Sequence, residues 1–546
     1  MLCSTILLVA LQCAAISQTP ALDSGRAWID SGDYEYFHVV TPENPSALIQ
    51  SAADAFCRYW ERATRRPVTA SAVNDGKLNV WLGAKIITQE MIKPGELDGL
   101  SPDGCLIRSY TPGRRYATKG AQKQLLIAGT TDQATLHGVY TFFAAAFGAR
   151  WVAPGVTRIN PAELTMKNVE LRSDSTFPFR EAGVFGQWHG PDAEEFRRGQ
   201  HLPAAFTPPP PNMEAFAALL QPAAGVPSNS AEYGSEAGAE RLAEAIASLI
   251  RAGDSADAET KARRERAAWP PGTNTWSLNA LDWMVPVATA ECADRDAKEG
   301  SPAASVLFTA NRVAGRLAAL FPNAPPRVHL LLPTALRHPP KTLRPVENVV
   351  VQLSALDMDF SKTMEDGANA AFADDLRGWS RLGGKIWVLD QAANRRDPRV
   401  PFPNLHVLQA NALFCTQNGV SGIYALGGAT GADAPADLAE LRACLWAQVL
   451  WNADIALDDA FREYCDLLYG PAGTAALDCI GLEEAAVKAS GKPLRGDDDG
   501  TWLDAATAGR IGEKLNTALA LPGLPKDMKQ RVELLLPPVK QAAGTH

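Results

Sequence analysis

Hydrophobic and polar positions along the chain fall into two regimes, and the first runs from about Tyr34 to Arg172. There, short apolar runs at Tyr36–Val40, Asn79–Leu82 and Cys105–Tyr110 have the length and composition of strands. Between them, Ala47–Arg65 places Ile49, Ala53, Phe56 and Trp60 on one side of a helix. The sharpest unit is LLIAGTTDQATLHGVYTFFAAAFGARWVAP, Leu125–Pro154. It predicts a buried strand at Leu125–Ala128, a turn at Gly129, a helix and a short strand at Arg150–Val152. Within the helix Leu136, Val139, Tyr140, Phe143 and Phe147 recur at three- and four-residue spacing. Thr130, Thr131 and Asp132 stand where side chains cap free helix N–H groups, and Gly148 stands where a helix ends in a left-handed residue. The pattern predicts an α/β sandwich over residues 30–172.

From Phe177 the pattern changes to short apolar strands with longer connections. Arg180–Phe185, Thr275–Asn279, Val328–Leu332, Val349–Leu353, Lys385–Leu389 and Gly422–Leu426 read as strands. Ala239–Arg251, Ser305–Leu320, Ala370–Arg381 and Asn404–Asn418 read as the helices between them. Repeated alternation of this kind predicts a (β/α)8-like TIM barrel over residues 177–435, whether regular, irregular or incomplete. Leu202–Pro211 and Gln221–Gly238, rich in Pro, Ala, Gly and Ser, read as loops. Residues 437–546 turn helical, with Leu438, Leu441, Leu445, Val449 and Leu450 on one helix and Phe461, Tyr464, Leu467 and Leu468 on the next. Ile480–Ser490 and Leu503–Leu519 complete a C-terminal bundle. The fold class is therefore α/β, in three parts.

Composition narrows the partners. A chain of 546 residues is too long for one core, and 46% hydrophobic with 21% charged residues suits a soluble globular protein. The net charge of −9 leaves no basic excess for phosphate backbones or anionic membranes. The basic run Lys261–Arg266 reads as a solvated helix face. The N-terminus, MLCSTILLVALQCAAISQ, is uncharged and apolar, too short to span a bilayer comfortably, and predicts a secretory signal over residues 1–17 with Ala15-Ile16-Ser17 at the cleavage site. A secreted or periplasmic location follows. The cysteines beyond that segment, Cys57, Cys105, Cys292, Cys415, Cys444, Cys465 and Cys479, have no metal-ligand spacing and read mainly as buried small hydrophobes, with a Cys465–Cys479 disulfide as an alternative.

The unit around Gly129 resembles the small α/β domain that precedes the barrel in alpha-glucuronidases and beta-hexosaminidases. The likeness extends through FPFREAGVF at Phe177–Phe185, LFTANRVAGRLAALFP at Leu307–Pro322, Pro339–Leu353, LDQAAN at Leu389–Asn394, Phe402–Gly427, and LWAQVLWN and LLYGPA within Leu441–Pro471. Taken in order, these pieces resemble a family of exported bacterial proteins that carries a domain of unknown function. Its members join such an N-terminal domain to a TIM-like glycoside-hydrolase barrel and a helical tail. The resemblance implies a carbohydrate substrate or ligand, containing uronic acid or N-acetylhexosamine, and hydrolysis by paired carboxylates. The charge, the residue spacing and the lack of a later apolar span lead to an expectation of no cofactor, no metal, no nucleic-acid partner, and no membrane partner once the signal is removed. Against the family's pattern, Asn279 is followed by Ala280 rather than Asp. Of a His-Pro-Glu motif only Glu214 remains, Ala425 stands where a Glu is usual, and Gln391 replaces an aromatic. These departures imply a second reading, a carbohydrate-binding protein derived from such an enzyme.

Glycoside hydrolysis needs two carboxyl groups flanking one bond, and barrels present such groups at the C-terminal ends of strands. Asp390 follows the apolar run Ile386–Leu389 and is either that acid or a cap of the next loop. Asp357 and Asp359 follow the strand Val349–Leu353, and their spacing aims both to one side if the strand continues. Asp282, three residues past Asn279, is a candidate to replace the missing acid. Arg180 suits bidentate clamping of a carboxylate or sulfate, or an ion pair with its neighbour Glu181. Trp188, His189, Asn279 and Asn394 complete the candidate sugar-binding set, with Trp276 and Trp283 as further stacking surfaces. His329, inside a strand, reads as a satisfied core histidine. Metalloprotease, nucleophile-elbow, phosphate-loop and dinucleotide motifs do not occur.

Overall fold

A computed structural model describes residues 37–72, 78–87, 91–110, 124–159, 169–205, 207, 234–253, 257–270, 273–279, 290–427 and 436–536. Residues 1–17, read from sequence as a signal, and Glu214, Ala280, Asp282 and Trp283 lie outside the described residues. The chain divides into two compact units. One lies within Met1–Pro178, Trp188–Ala205 and Ala447–Ala456; the other lies within Phe179–Gln187, Phe206–Trp446 and Leu457–His546.

The first unit is built on a six-stranded sheet. Its strands are β1 (Phe37–Val40), β2 (Thr69–Ser71), β3 (Leu78–Leu82), β4 (Cys105–Tyr110), β5 (Gln124–Gly129) and β8 (Glu170–Ser173), in the order β2-β1-β3-β5-β4-β8. The pairs from β2 to β5 are parallel, and β4 is antiparallel to both neighbours. Helices α1 (Ala47–Thr64) and α2 (Asp132–Phe147) bury Phe56, Trp60, Phe142 and Phe143, with Phe56 and Phe143 ring centroids 5.1 Å apart. The caps read from sequence form. Thr131 Oγ accepts the Ala134 N–H at 3.0 Å, and Gly148 ends α2 at φ +59°. A two-stranded ribbon follows, β6 (Arg150–Ala153) and β7 (Val156–Arg158), as does α3 (Pro191–Gly199). Helix α3, short and mostly charged, carries too little apolar periodicity to be read from sequence.

The second unit holds the barrel-type sheet. Its strands are β9 (Phe179–Ala182), β10 (Thr275–Asn279), β11 (Arg327–Leu332), β12 (Val349–Ser354), β13 (Lys385–Gln391) and β14 (Val420–Leu426). They run in the order β10-β11-β12-β13-β14-β9, every pair parallel. The first strand in sequence thus pairs with the last, as closure of a parallel barrel requires. The helices between them are α4 (Glu236–Ala252), α5 (Ala258–Ala267), α6 (Ala290–Glu299), α7 (Ala303–Leu320), α8 (Ala370–Leu382) and α9 (Leu408–Gln417). After them come α10 (Ala439–Trp451), α11 (Leu457–Tyr469), α12 (Gly473–Ser490), α13 (Ala505–Leu519) and α14 (Lys526–Glu533).

Three boundaries move for physical reasons. The strand expected at Arg180–Phe185 stops at Ala182, because the backbone at Gly183 lies against Gly427; a Cβ there would sit 2.4 Å from the Gly427 carbonyl oxygen. The loop expected to run to Gly238 ends at Ser235, whose side chain accepts the Gly238 N–H at 3.0 Å and starts α4. The helix expected from Asn404 begins at Leu408, after a 3-10 turn at Leu405–Val407. Cys465 and Cys479 are free thiols, so the alternative of a disulfide between them is not realised.

Candidate functional site at the strand ends

Side chains alternate across a strand, so register decides which residues share a face. Phe179 on β9 stacks on Trp387 of β13 with centroids 4.0 Å apart, reaching over β14 between them. Trp387 in turn meets His329 of β11 at 5.6 Å, reaching over β12. Contacts that skip a strand converge on the concave face of a sheet. Trp269 fills that face, touching Phe179, His329 and Tyr424. Gly422 makes the Phe179–Trp387 stack possible, since a Cβ there would come within 2.6 Å of Trp387 Cδ1 and 2.9 Å of Phe179 Cβ. His329 is buried, with Nδ1 2.9 Å from Ser277 Oγ and Nε2 3.0 Å from Gln352 Oε1. Burial pushes its pKa down to about 3, against the hydrogen bond to Gln352, so the ring is neutral near pH 7. It is the satisfied core histidine that its place in the strand suggests.

Glu181 lies one alternation beyond Phe179 and therefore projects to the same concave face, at the C-terminal end of β9. It pairs in register with Tyr424, which pairs with Leu389. Only 1% exposed, it accepts the Thr207 N–H at 2.9 Å on one carboxylate oxygen and the Ala182 N–H at 3.1 Å on the other. Gln391, two residues beyond Leu389, shares this face and is fully buried; its Nε2 donates to the Ala393 carbonyl.

Asp390 pairs in register with Ala425, and Ala425 with Ala182, so it projects from the opposite face. It is 4% exposed, accepts the Gln391 N–H at 2.7 Å, and lies close enough to Cys415 of α9 to push that thiol up further, beyond the larger effect of burial. Burial raises the Asp390 carboxyl to about 7, against the Gln391 hydrogen bond. The position is a strand end, as read from sequence, but the side chain faces the helix layer. Asp390 and Glu181 therefore do not flank a common bond.

Two further acids hold structure. Strand β12 ends at Ser354, before Asp357 and Asp359, so alternation does not carry both to one side. Asp357 is bidentate with the buried Arg337, at 2.6 and 3.3 Å; Arg337 also bonds Asp375 at 2.9 Å. Asp359 accepts the Ser361 hydroxyl at 2.6 Å, the Ser361 N–H at 3.1 Å and the Leu494 N–H at 3.0 Å. Burial would raise its pKa; these bonds, with Lys362 at 3.4 Å, hold it below the usual aspartate value instead.

The Leu494 contact belongs to a strap. Residues 494–498, between α12 and α13, run from the loop after β12 to the loop after β13. Phe360 N–H donates to Leu494 O at 2.9 Å, and Arg395 N–H to Gly496 O at 2.7 Å. Asn394 Nδ2 donates to Asp498 O at 2.6 Å, Arg395 pairs with Asp497 at 3.0 Å, and Arg495 donates to the Asp357 carbonyl. Gly496 sits directly over Gln391, where a Cβ would be 3.0 Å from Gln391 Oε1. Asn394, a candidate sugar ligand, thus ties this strap down, and its Oδ1 accepts the Arg396 and Asp397 N–H groups of its own turn. Behind it, Arg442 bonds Asp437, Asn404 and the Ala392 and Phe402 carbonyls, fixing the loop from below.

Arg180 is buried on the face of Ile423, opposite Glu181, so the two adjacent side chains do not line one cleft. Asn279 ends β10 opposite Leu331. Trp188 and His189 fall in the first unit, where Trp188 packs edge-on against Phe196 at 5.5 Å and His189 is exposed. Of the sequence candidates, the described structure brings Glu181 to the concave face beside Gln391 and Tyr424, while Asn279, in register with Leu331, takes a position on the same face at the end of β10. Among the described residues, no group of three or more His, Cys, Asp or Glu is placed to hold a metal ion, and no helix is long and apolar enough to cross a membrane.

Fold and rim together define an α/β protein with a parallel, barrel-type sheet and a buried carboxylate at its C-terminal mouth. Residues 263–479 match the family described as "Domain of unknown function (DUF4838)". No curated protein matches the chain significantly. Among solved structures, it is similar to a GH138 enzyme targeting pectin rhamnogalacturonan II, with 11% identity and a TM-score of 0.43 over 93% of this chain and 68% of that one. It is similar to a Streptomyces plicatus beta-hexosaminidase with 13% identity and a TM-score of 0.41, over 78% and 89% of the two chains. A Flavobacterium johnsoniae chitobiase gives 10% identity and 0.42, over 96% and 90%.

Proposed function

We propose that this is an exported carbohydrate-binding protein built on a glycoside-hydrolase-like barrel, with Glu181 as the carboxylate that meets the sugar. The ligand class rests on the ordered sequence resemblance from Gly129 to Pro471, and export on the apolar N-terminus. The observation that carries the binding reading is the division of the candidate acids among the described residues. Glu181 and Asp390 leave opposite faces of the sheet, while Asp357 and Asp359 are engaged by Arg337 and the strap. A hydrolytic pair, by contrast, needs two carboxyl groups roughly 5–10 Å apart across one bond.

A second reading, hydrolysis with Glu181 as one of the two acids, is favoured by its burial at a strand C-terminus, where barrel enzymes place their chemistry. One experiment separates them. Purified protein is screened on a glycan array and with aryl-glycosides of uronic acids and N-acetylhexosamines, alongside Glu181→Gln and Asp390→Asn. Binding without product, weakened on the order of tenfold or more in Glu181→Gln, supports the binding protein. Product release abolished by Glu181→Gln and kept in Asp390→Asn selects the enzyme. Neither binding nor release of any glycan sinks both.

A further inference from the structure

Leu494, the first residue of the strap, ends a chain of polar contacts that begins at the surface with His406. His406 sits in the 3-10 turn Leu405–Val407 that precedes α9. Its Nε2 lies 3.1 Å from the Ser361 carbonyl oxygen, and its Nδ1 lies 3.3 Å from the Glu484 carboxylate of α12. Ser361 donates both its N–H and its hydroxyl to Asp359 Oδ1, and that same oxygen accepts the Leu494 N–H. The strap follows α12 in the chain, so Glu484, His406, Ser361, Asp359 and Leu494 close a ring back onto the helix that carries Glu484.

Both ring nitrogens of His406 therefore face oxygens that can only accept. A neutral imidazole carries one N–H, so one of the two contacts would set lone pair against lone pair; the imidazolium donates to both. Charge agrees with geometry. Burial works against the charged ring, but the hydrogen bond and charge of Glu484, with the Ser361 carbonyl, outweigh it and hold the His406 pKa above the ordinary 6.5. Of the other charged groups nearby, Asp359 and Lys362 flank Ser361 and lie 3.4 Å apart, and Glu483, beside Glu484 on α12, is buried and interacts with Asp437 and Arg442. We propose that His406 is a pH latch for the strap: as imidazolium it ties the loop after β12 to α12, and on losing its proton it lets loop and strap loosen together. A folded-state pKa raised above the unfolded value gives a stabilisation that is complete below the unfolded pKa and is lost as pH rises through the folded one. Asp359, with its pKa lowered, has the opposite sense. The strap is thus held in a window between the two, with Gly496 over Gln391. The latch does not rest on sugar binding at the mouth, and its test uses no ligand.

Amide hydrogen exchange of the full chain is followed from about pH 5 to about pH 9 at Leu494, Phe360 and Arg395, the N–H donors that hold the strap, as protection relative to the intrinsic rate at each pH. The His406 ring is titrated in parallel by NMR. Protection should fall roughly three- to tenfold, with a midpoint above pH 6.5 that coincides with the ring titration. Asp390 titrates in the same range, so the decisive quantity is the difference from His406→Gln, which keeps Asp390 and a side-chain donor but has no proton to lose; there the His406 step should vanish. Glu484→Gln keeps the histidine and removes its carboxylate, and should move the midpoint to lower pH, a shift that lost packing alone does not give. Both residues lie at the surface, and the wild-type titration tests the latch without any variant. A ring that titrates at or below pH 6.5, protection that is flat across the ring titration, a step of the same size in His406→Gln, or a midpoint unmoved in Glu484→Gln overturns the proposal.

Discussion

Asp390→Asn distinguishes an acid aimed at a ligand from one buried against the helix layer. The carboxyl is only 4% exposed and, among the described residues, its hydrogen bond comes from the Gln391 N–H. Burial raises its pKa from 3.8 to about 7. A folded-state pKa raised above the unfolded value means the folded chain holds the proton more tightly. The stability this gives is complete below the unfolded pKa and is lost as pH rises through about 7. Between pH 5 and pH 8 the wild type should therefore lose about 3 kcal/mol through this group alone, an order-of-magnitude figure from 1.36 kcal/mol per pKa unit. Asparagine keeps an acceptor for Gln391 and cannot ionise. Its NH2 brings a buried donor that costs about 1–3 kcal/mol at every pH, so the variant differs from the wild type by a constant plus the titrating part. Urea unfolding at pH 5, 6, 7 and 8, analysed as the difference between the two proteins, isolates the titrating part. The expected result is a difference that shifts steadily in favour of Asp390→Asn as pH rises, with glycan binding unchanged. A pH-independent difference would show that the carboxyl is not desolvated, and loss of glycan binding by a folded variant would place it at the ligand.

Two other perturbations test the rim and the packing beneath it. Gly422→Ala puts a methyl between Trp387 and Phe179 at 2.6 and 2.9 Å, so the stack must open. Equilibrium unfolding should show a loss of about 1–3 kcal/mol, and an unchanged midpoint would contradict the packing. Asp359→Ala removes the acceptor of the Leu494 N–H, leaving a buried donor unpaired, and should free the strap at neutral pH. Its readout is faster amide exchange at Leu494. Because the Asp359 pKa is held below its ordinary value, the stabilisation exists above the unfolded pKa and is lost as pH falls through the folded one, so acid should loosen the strap in the wild type as well. Protection at Leu494 that survives both treatments would show that the strap is held by its other contacts.

Hydrophobic periodicity made the barrel strands legible to within a few residues, because most of them are built around a short apolar run, and it found the longer helices that carry a stripe; the charged helices α3, α5 and α6 have none and escape it. The same property hid the site. In KIWVLDQ, Trp387 and Leu389 on one face are as apolar as Ile386 and Val388 on the other, so nothing in the run says which face is concave. Asp390 and Gln391 thus look interchangeable in sequence, although one faces α9 and the other the barrel interior. What decides is the cross-strand register to Tyr424 and Glu181 and the strand-skipping stack of Phe179 on Trp387, which are properties of pairing rather than of any segment. The strap was illegible for a related reason. Asp359 and Leu494 lie 135 positions apart, and KPLRGDDDG between two helices has the composition of an ordinary solvated loop. Its contacts use up Asp359, Asn394 and the Asp357 carbonyl, which are the groups that a sequence-based site would spend on sugar. A strand-end carboxylate is therefore weak evidence for catalysis until its face and its partners are known; by that standard Glu181, not Asp390, is the residue on which ligand binding at this barrel mouth should depend.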